Sequence, residues 1–331
     1  MTWWNSRRVL VTGAGGFIGS HLVERLVGRG ATVRAVVHYN SRNDWGQIEQ
    51  LDKSVRDSLE VVCGDIRDPF FCRQAVRDQT VVLHLAALIA IPYSYIAPGD
   101  YVATNVVGTL NILQACRDLD VEKIVHTSTS ETYGTAQYTP IDEKHPLQGQ
   151  SPYSASKIGA DKIAESFYLS FGTPVATIRP FNTYGPRQSA RAVIPTVISQ
   201  LVAGAKQVRL GSLEPVRDLT YAADTAGAFA AIAESPRATG QVLNAGTGKG
   251  VSIGQLARLI MKVMGVEAEI VCDPDRVRPE KSEVTRLLAS TDRIRELTGW
   301  APKVTLREGL AQTVQYVRDH IDLYKPDIYN V

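Results

Sequence analysis

The stretch Arg8-Val9-Leu10-Val11-Thr12-Gly13-Ala14-Gly15-Gly16-Phe17-Ile18-Gly19 runs from an apolar strand-like segment into glycines 13, 16 and 19. It then enters residues at helical spacing, Leu22, Val23, Leu26 and Val27. In a G-x-x-G-x-x-G turn the first glycine permits the tight bend and the second lets the backbone approach a pyrophosphate. The third packs the helix on the sheet, and the helix start, here Phe17 and Ile18, offers free N–H groups to phosphate. A glycine triplet alone marks only a turn. Between a first strand and a first helix, it predicts the phosphate end of a dinucleotide site.

Outward from that turn, strand-like runs at 8–12, 32–38, 59–64, 81–86, 123–128 and 175–180 alternate with helical stretches such as 19–29, 101–119 and 154–171. Near-continuous apolar strands separated by helices predict an α/β fold, a Rossmann-like doubly wound parallel sheet. After Pro180, proline and glycine become frequent and the elements shorten. Residues 1–180 are therefore expected to form the dinucleotide-binding domain and 181–331 a smaller mixed α/β lobe, with 218–234 packing back on the first domain. From Val251 a strand–helix–strand run leads to the loop 273–279 and a closing helix near 306–320.

Composition narrows the function classes. The 331 residues carry 36 Lys+Arg against 34 Asp+Glu, a net charge of +2, which argues against a dedicated nucleic-acid or anionic-membrane binder. The 44% hydrophobic and 21% charged fractions are those of an ordinary globular chain. Cys63, Cys72, Cys116 and Cys272 lie far apart with no CxxC pair, so neither a zinc site nor a disulfide framework is expected. The apolar stretch 81–97 contains His84 and Pro92 and is shorter than the roughly 20 residues of a membrane span. With no secretory pattern before Val9, a cytoplasmic protein is expected.

The remaining strand ends extend the dinucleotide reading. Asp65 and Ile66 follow the third strand, where an acid can meet an adenine amino group; a turn or helix cap serves Asp65 equally. Leu85, Ala86 and Ala87 follow the fourth, where small residues let the backbone pass the cofactor, while His84 reads as a satisfied core histidine. The second strand ends in Val37-His38-Tyr39-Asn40-Ser41-Arg42, without the carboxylate that usually holds the ribose of NAD. Asn40 and Ser41 can bond the ribose, and His38 or Arg42 can meet a 2′-phosphate, so NAD and NADP both remain open.

Two clusters carry chemistry. Tyr153 and Lys157 stand four apart at a helix start, on one helical face. A cation there favours the phenolate and lowers its pKa by roughly 1–3 units, giving a base for a sugar or alcohol hydroxyl. The fifth strand runs into Thr129-Ser130-Glu131, at the end of the sheet where ligands bind. Thr129 can share a hydrogen bond with Tyr153 and substrate. Glu131 can remove a proton α to a carbonyl, which a simple dehydrogenase does not need.

Together TGAGGFIGSH (12–21), the Thr129-Ser130-Glu131 cluster, the Tyr153/Lys157 pair, RPFNTYGPRQ (179–188) and RDLTYAAD (217–224) resemble the extended short-chain dehydrogenase/reductases that act on nucleotide sugars. The resemblance spans essentially the whole chain. The longer runs from His126, RPFNTYGPRQSARAVIPT (179–196) and RPEKSEV (278–284) are most similar to the nucleotide-activated N-acetylglucosamine 4,6-dehydratases of legionaminic-acid biosynthesis. The Thr-Ser-Glu order is similar to that of GDP-mannose 4,6-dehydratases; where the dTDP-glucose enzymes carry an acid to protonate the departing hydroxyl, this chain has Ser130.

The resemblance implies a cycle. Tyr153, helped by Lys157 and Thr129, takes the C4 hydroxyl proton as the cofactor takes the C4 hydride. Glu131 removes the C5 proton, water leaves from C6, and hydride return gives a 4-keto-6-deoxy sugar. It also implies that Asn182, Arg217 and Arg278, with Arg191 less directly, hold the nucleotide diphosphate, and that Ser130 faces the sugar. A homodimer pairing helices 101–119 and 154–171 is implied as well, with no metal. UDP and GDP both fit as the nucleotide. UDP-glucuronate decarboxylase, 4-epimerase and, from another class, a non-catalytic dinucleotide sensor are the competing readings.

Overall fold

The computed structural model describes residues 2–277, 279–326 and 328. Strand β1 (Arg8–Thr12) shows why both sides of the sheet must be covered. Val9 and Val11 are buried in one core with Leu22 and Leu26, and Leu10 in another with Ile112 and Phe167. A strand apolar on both faces needs helices on both, and the chain supplies them in turn. After β1 come α1 (Phe17–Val27), β2 (Thr32–His38), β3 (Glu60–Gly64), α2 (Pro69–Val76) and β4 (Val81–His84). Next are α3 (Gly108–Asp118), β5 (Lys123–Thr127), α4 (Pro152–Phe171) and β6 (Val175–Pro180).

Beyond Pro180 follow β7 (Asn182–Tyr184), α5 (Val193–Val202), β8 (Gln207–Leu210), β9 (Val216–Tyr221) and α6 (Ala222–Glu234). The remainder is β10 (Val242–Ala245), β11 (Gly250–Ser252), α7 (Ile253–Met264), β12 (Glu269–Cys272), α8 (Asp292–Thr298) and α9 (Leu306–Asp319). The large sheet has the order β10-β6-β5-β4-β1-β2-β3 with every pair parallel, the expected doubly wound architecture. Its winding reverses between β1 and β4, where such sheets open a ligand crevice at the strands' carboxyl ends. Helix α6 lays Ala226, Phe229 and Ala230 into the core that holds Leu22 and Leu26. A second core, with Ile194, Leu219, Leu256 and Leu310, is built around α5, β9, α7 and α9 beside two small sheets, β11-β9-β7 and β12-β8.

Two element boundaries differ from the sequence expectation for reasons that bear on the site. Strand β4 stops at His84 rather than Ala86, because Thr12 Oγ1 accepts from the N–H groups of Leu85 and Ala86, both at 3.1 Å, and turns the chain off the sheet. The single helix expected at 101–119 is three pieces: a short α-helix at Pro98–Tyr101, π-helical backbone at Val102–Val107, and α3. The widened π turn, a feature concentrated at functional sites, carries Asn105. Its buried amide donates to Leu88 O and to Ser156 Oγ, each at 2.9 Å, fixing the crevice wall against α4. Among the described residues no helix is long and apolar enough to cross a membrane, and no group of His, Cys, Asp and Glu could hold a metal. All four cysteines are free thiols.

Candidate active site

The glycine turn is shaped by backbone clearance. Gly13 has φ +69°, and a Cβ there would lie 2.8 Å from Ala86 N; at Gly19 it would overlap the Gly13 carbonyl. No side chain caps α1, whose N-cap is Gly16, so the first-turn N–H groups of Phe17, Ile18 and Gly19 face outward as an anion cradle. Beside it lies a cavity of about 350 Å³ lined by Gly13, Asp65, Ile66, Ala86 and Ala87. These residues fit a dinucleotide. Leu85 lies at the same strand end, half-buried against the core. His84 is buried and bonded through its two ring nitrogens to Thr12 Oγ1 at 2.8 Å and Thr109 Oγ1 at 3.1 Å.

The adenosine side departs from the sequence expectation at three residues, Asn40, Ser41 and Arg42. Asn40 does not present its amide to a ribose: Oδ1 accepts from the N–H groups of Arg42 and Asp44, and Nδ2 donates to the Asp44 and His38 carbonyls, so the side chain folds its own loop. Ser41 and Arg42 are exposed on that loop, and the second strand reaches the cavity through Val36 and His38 instead. Asp65 lines the cavity but is paired with Arg67 at 2.6 Å, with His38 3.6 Å away. The Arg67 bond holds its carboxyl below the usual range.

Tyr153 and Lys157 sit on the first turns of α4, which starts at a capping box: Ser151 Oγ accepts from Ser154 N at 3.1 Å. Both are buried, and the Tyr101 ring meets Tyr153 edge-on at 6.2 Å. Thr129 Oγ1 accepts from Glu131 N at 3.2 Å, leaving its hydrogen for the bond it shares with Tyr153. Burial outweighs the help expected from a nearby cation, so the Tyr153 phenol lies above the ordinary tyrosine value. The Thr129 bond lowers it, while Glu131, Tyr101 and Asp161 raise it further. Burial also brings the Lys157 ammonium down to about 8, against the pull of Asp161. Thr129 and Glu131 thus act on Tyr153, with Lys157 one turn further along α4 and Ser130 buried between Thr129 and Glu131 in the chain.

The residues expected to hold the sugar nucleotide give a mixed picture. Asn182 on β7 is half-buried and its Oδ1 has no hydrogen-bond partner. Arg217 does not present a free fork. It is buried, donating from Nη2 to Glu283 Oε1 at 2.9 Å and from Nη1 to Val284 O at 2.7 Å, because β9 runs beside the segment 283–287. Arg191 is exposed near Tyr101, on whose hydroxyl its charge acts. Arg278 lies outside the described residues. The segment around Ser282 straps the crevice: Ser282 Oγ donates to Gln150 O at 3.1 Å and bonds the Tyr95 hydroxyl, while Gln150 Nε2 donates to Lys281 O at 2.9 Å.

Residues 10–313 match the family model described as GDP-mannose 4,6 dehydratase. The chain belongs to that family. It is an extended short-chain dehydrogenase/reductase of the nucleotide-sugar dehydratase and epimerase kind. The dTDP-D-glucose 4,6-dehydratase of Homo sapiens is 30% identical over 326 residues, covering 97% of this chain and 92% of the relative. The UDP-glucose 4-epimerase of Mycolicibacterium smegmatis is 34% identical over 318 residues, with 94% and 99% covered. The crystal structure of the dTDP-glucose 4,6-dehydratase DesIV from Streptomyces venezuelae, a double mutant with NAD bound, superposes with a TM-score of 0.85 at 29% identity, covering 96% and 99%.

In this dehydratase/epimerase relative the candidate catalytic cluster rests on a buried polar layer not singled out from the sequence. Asp161 stands one helical turn beyond Lys157 and accepts from Ser128 Oγ at 2.7 Å, His126 Nε2 at 3.2 Å and Arg179 Nη2 at 2.9 Å. Arg179 Nη1 donates to Tyr133 OH at 3.0 Å, which donates to Asn244 Oδ1 at 2.7 Å. Burial acts to raise the Asp161 carboxyl, but these partners hold it well below the usual range. One carboxylate therefore joins the ends of β5 and β6 to the face of α4 that carries Tyr153 and Lys157. The signal was present: Tyr153, Lys157 and Asp161 repeat at i, i+4, i+8.

Proposed function

We propose that the chain is an NAD(P)-dependent nucleotide-sugar 4,6-dehydratase, a hydro-lyase. Its substrate would be an NDP-hexose, UDP- or GDP-N-acetylglucosamine, and its product the 4-keto-6-deoxy sugar. The observation that carries this reading is the Glu131 charge acting on the Tyr153 phenol, with the Glu131 backbone N–H held on Thr129 Oγ1. A carboxylate beside the C4 base has work to do in removing a C5 proton and none in a simple oxidation.

The residues divide the task. Gly13, Gly16, Phe17, Ile18 and Gly19 would take the pyrophosphate, Ile66, Ala86 and Ala87 the adenosine, and Tyr153 with Lys157 the ribose near the reacting carbon. When bound, the dinucleotide supplies the hydride acceptor for C4 and the donor for C6. Tyr153, bonded to Thr129, holds the C4 hydroxyl and accepts its proton. Lys157 keeps a positive charge beside it. The C4 ketone acidifies C5–H, and Glu131 takes that proton and passes it to the C6 hydroxyl as water leaves. Asn182, Arg191, Arg217 and Arg278 would hold the diphosphate, Arg217 by exchanging its carboxylate partner for phosphate oxygens.

The epimerase relatives favour a second reading, C4 epimerisation with the same Tyr153 and Lys157 but without need of Glu131. Mass spectrometry after incubation with UDP- and GDP-N-acetylglucosamine separates the two, since loss of water supports the dehydratase and unchanged mass with an altered sugar the epimerase. Glu131→Gln should leave dinucleotide binding intact and abolish 4-keto-6-deoxy product; product at a near-normal rate would sink the assignment. The partner we infer for the exposed Val102 and Val107 on the π turn and Leu110 at the start of α3 is a second copy of the chain. Sedimentation equilibrium showing only monomer would reject it.

A further inference from the structure

Away from the crevice, the loop after β7 forms a second pocket. Residues 187–190 face Tyr316 on α9, Leu323, Tyr324, Lys325 and Gln47 around a volume of about 280 Å³. That volume falls just under the ~300–1,000 Å³ of small-ligand pockets. Arg187 anchors it with a left-handed backbone, φ +68°, which costs a non-glycine residue ~1–3 kcal/mol and tends to mark functional positions. Its side chain is only 7% exposed, and Nη2 donates to Glu24 at 2.8 Å and to His21 Nδ1 at 2.7 Å. Its Nε is buried with no partner.

Three further atoms on the same pocket share that condition: Gln188 Oε1, Gln47 Oε1 and Tyr316 OH. Among the described residues fourteen side-chain polar atoms are buried without a partner, so four on one small pocket is a concentration, not scatter. Each costs ~1–3 kcal/mol unless a ligand or ordered water meets it. The four are complementary. Arg187 Nε is a cationic donor and Tyr316 a neutral one. Gln188, whose Nε2 already donates to Thr183 O at 2.8 Å, has its carbonyl left to accept. Lys325 adds an ammonium to the lining, and Leu323, Ala190 and the Tyr324 ring give apolar wall.

We propose that this pocket binds a hydroxylated anion of monosaccharide size, the shared chemistry of a sugar phosphate and a sugar acid. The anionic group meets Arg187, hydroxyls donate to Gln188 and Gln47, and the carbon face lies against Leu323 and Tyr324. The site stands apart from the crevice, with no lining residue in common with the dinucleotide cavity. It still abuts the glycine turn, because Gln47 N donates to Gly15 O at 2.8 Å.

Isothermal titration calorimetry on the full chain tests it, using glucose 6-phosphate and glucuronate as probes, with glucose and inorganic phosphate as controls. Each titration is run with and without saturating NAD and UDP-N-acetylglucosamine. Expected is saturable binding of one anionic sugar, indifferent to crevice occupancy, and which anion binds identifies phosphate or carboxylate. Gln188→Leu and Tyr316→Phe should each weaken it about tenfold, the worth of one hydrogen bond, Tyr316→Phe at an unchanged Tm and Gln188→Leu with the added loss of its bond to Thr183 O. The proposal is overturned if neither sugar anion binds, as for a pocket that holds water only. It is equally overturned if phosphate alone binds as well, if both variants bind normally, or if occupying the crevice removes the binding.

Discussion

The two ends of the crevice are built from different materials. The dinucleotide end is made of backbone: three glycines, an uncapped helix start and the N–H groups that Thr12 gathers from Leu85 and Ala86. The sugar end is made of side chains reaching across the chain, Arg217 to Glu283, Ser282 to Tyr95 and Gln150 to Lys281. A backbone-built site is fixed once the turn is folded. A side-chain-built site has partners that a ligand can exchange, so the first should tolerate no substitution and the second should be tunable.

The sharpest way to break this contrast is Gly13→Val. A side chain at φ +69°, against Ala86 N, should weaken NADH binding by about a hundredfold, read by fluorescence titration. Affinity near wild type would mean that the turn does not need its glycine.

Next in size is the proposed catalytic pair, Tyr153 and Lys157, which belongs to neither end. With Lys157 at about 8, the charged form is lost as pH rises through that value, so kcat should fall on the alkaline side. Lys157→Arg keeps its charge to far higher pH and should lose that fall, at a rate lowered by about 10²–10⁴. Asp161→Asn removes the charge that opposes the drop in Lys157, so the alkaline fall should move to lower pH with cofactor affinity unchanged. An unmoved profile would leave Asp161 a merely structural residue.

A smaller effect is expected at the sugar end. Glu283→Gln frees Arg217 from its carboxylate and should lower KM for the nucleotide sugar several-fold with kcat unchanged, a change of about 1 kcal/mol. A raised KM would show that the pair is needed intact. Least of all, Asn40→Ala should shift cofactor affinity by no more than about twofold, since its amide serves its own loop.

The same contrast explains what was legible in the sequence. Turn glycines and apolar strands act locally, so Gly13, Gly16 and Gly19 and the parallel sheet could be read from spacing alone. Tyr153 and Lys157 were legible because a helix face is local too. The bonds that Asn40 makes within its own loop and the pairing of Arg217 with Glu283 were not legible, because what each bonds depends on where a loop or a distant segment comes to rest. Asp161 and Arg179 escaped notice because a buried charge declares itself only through partners on β5, β6 and α4. The π turn at 102–107 has no spacing signature that separates it from an ordinary helix.

One feature of the sheet reaches beyond the site. Strand β10 supplies its outer edge and α6 covers α1, yet both come after the chain has already left the sheet at Pro180. A fragment truncated there would lack Phe229 and its neighbours over Leu22 and Leu26 and leave β6 as a raw edge, an invitation to aggregate. The cradle cannot be completed during synthesis until the substrate side has largely emerged. Folding of the one half is conditional on translation of the other.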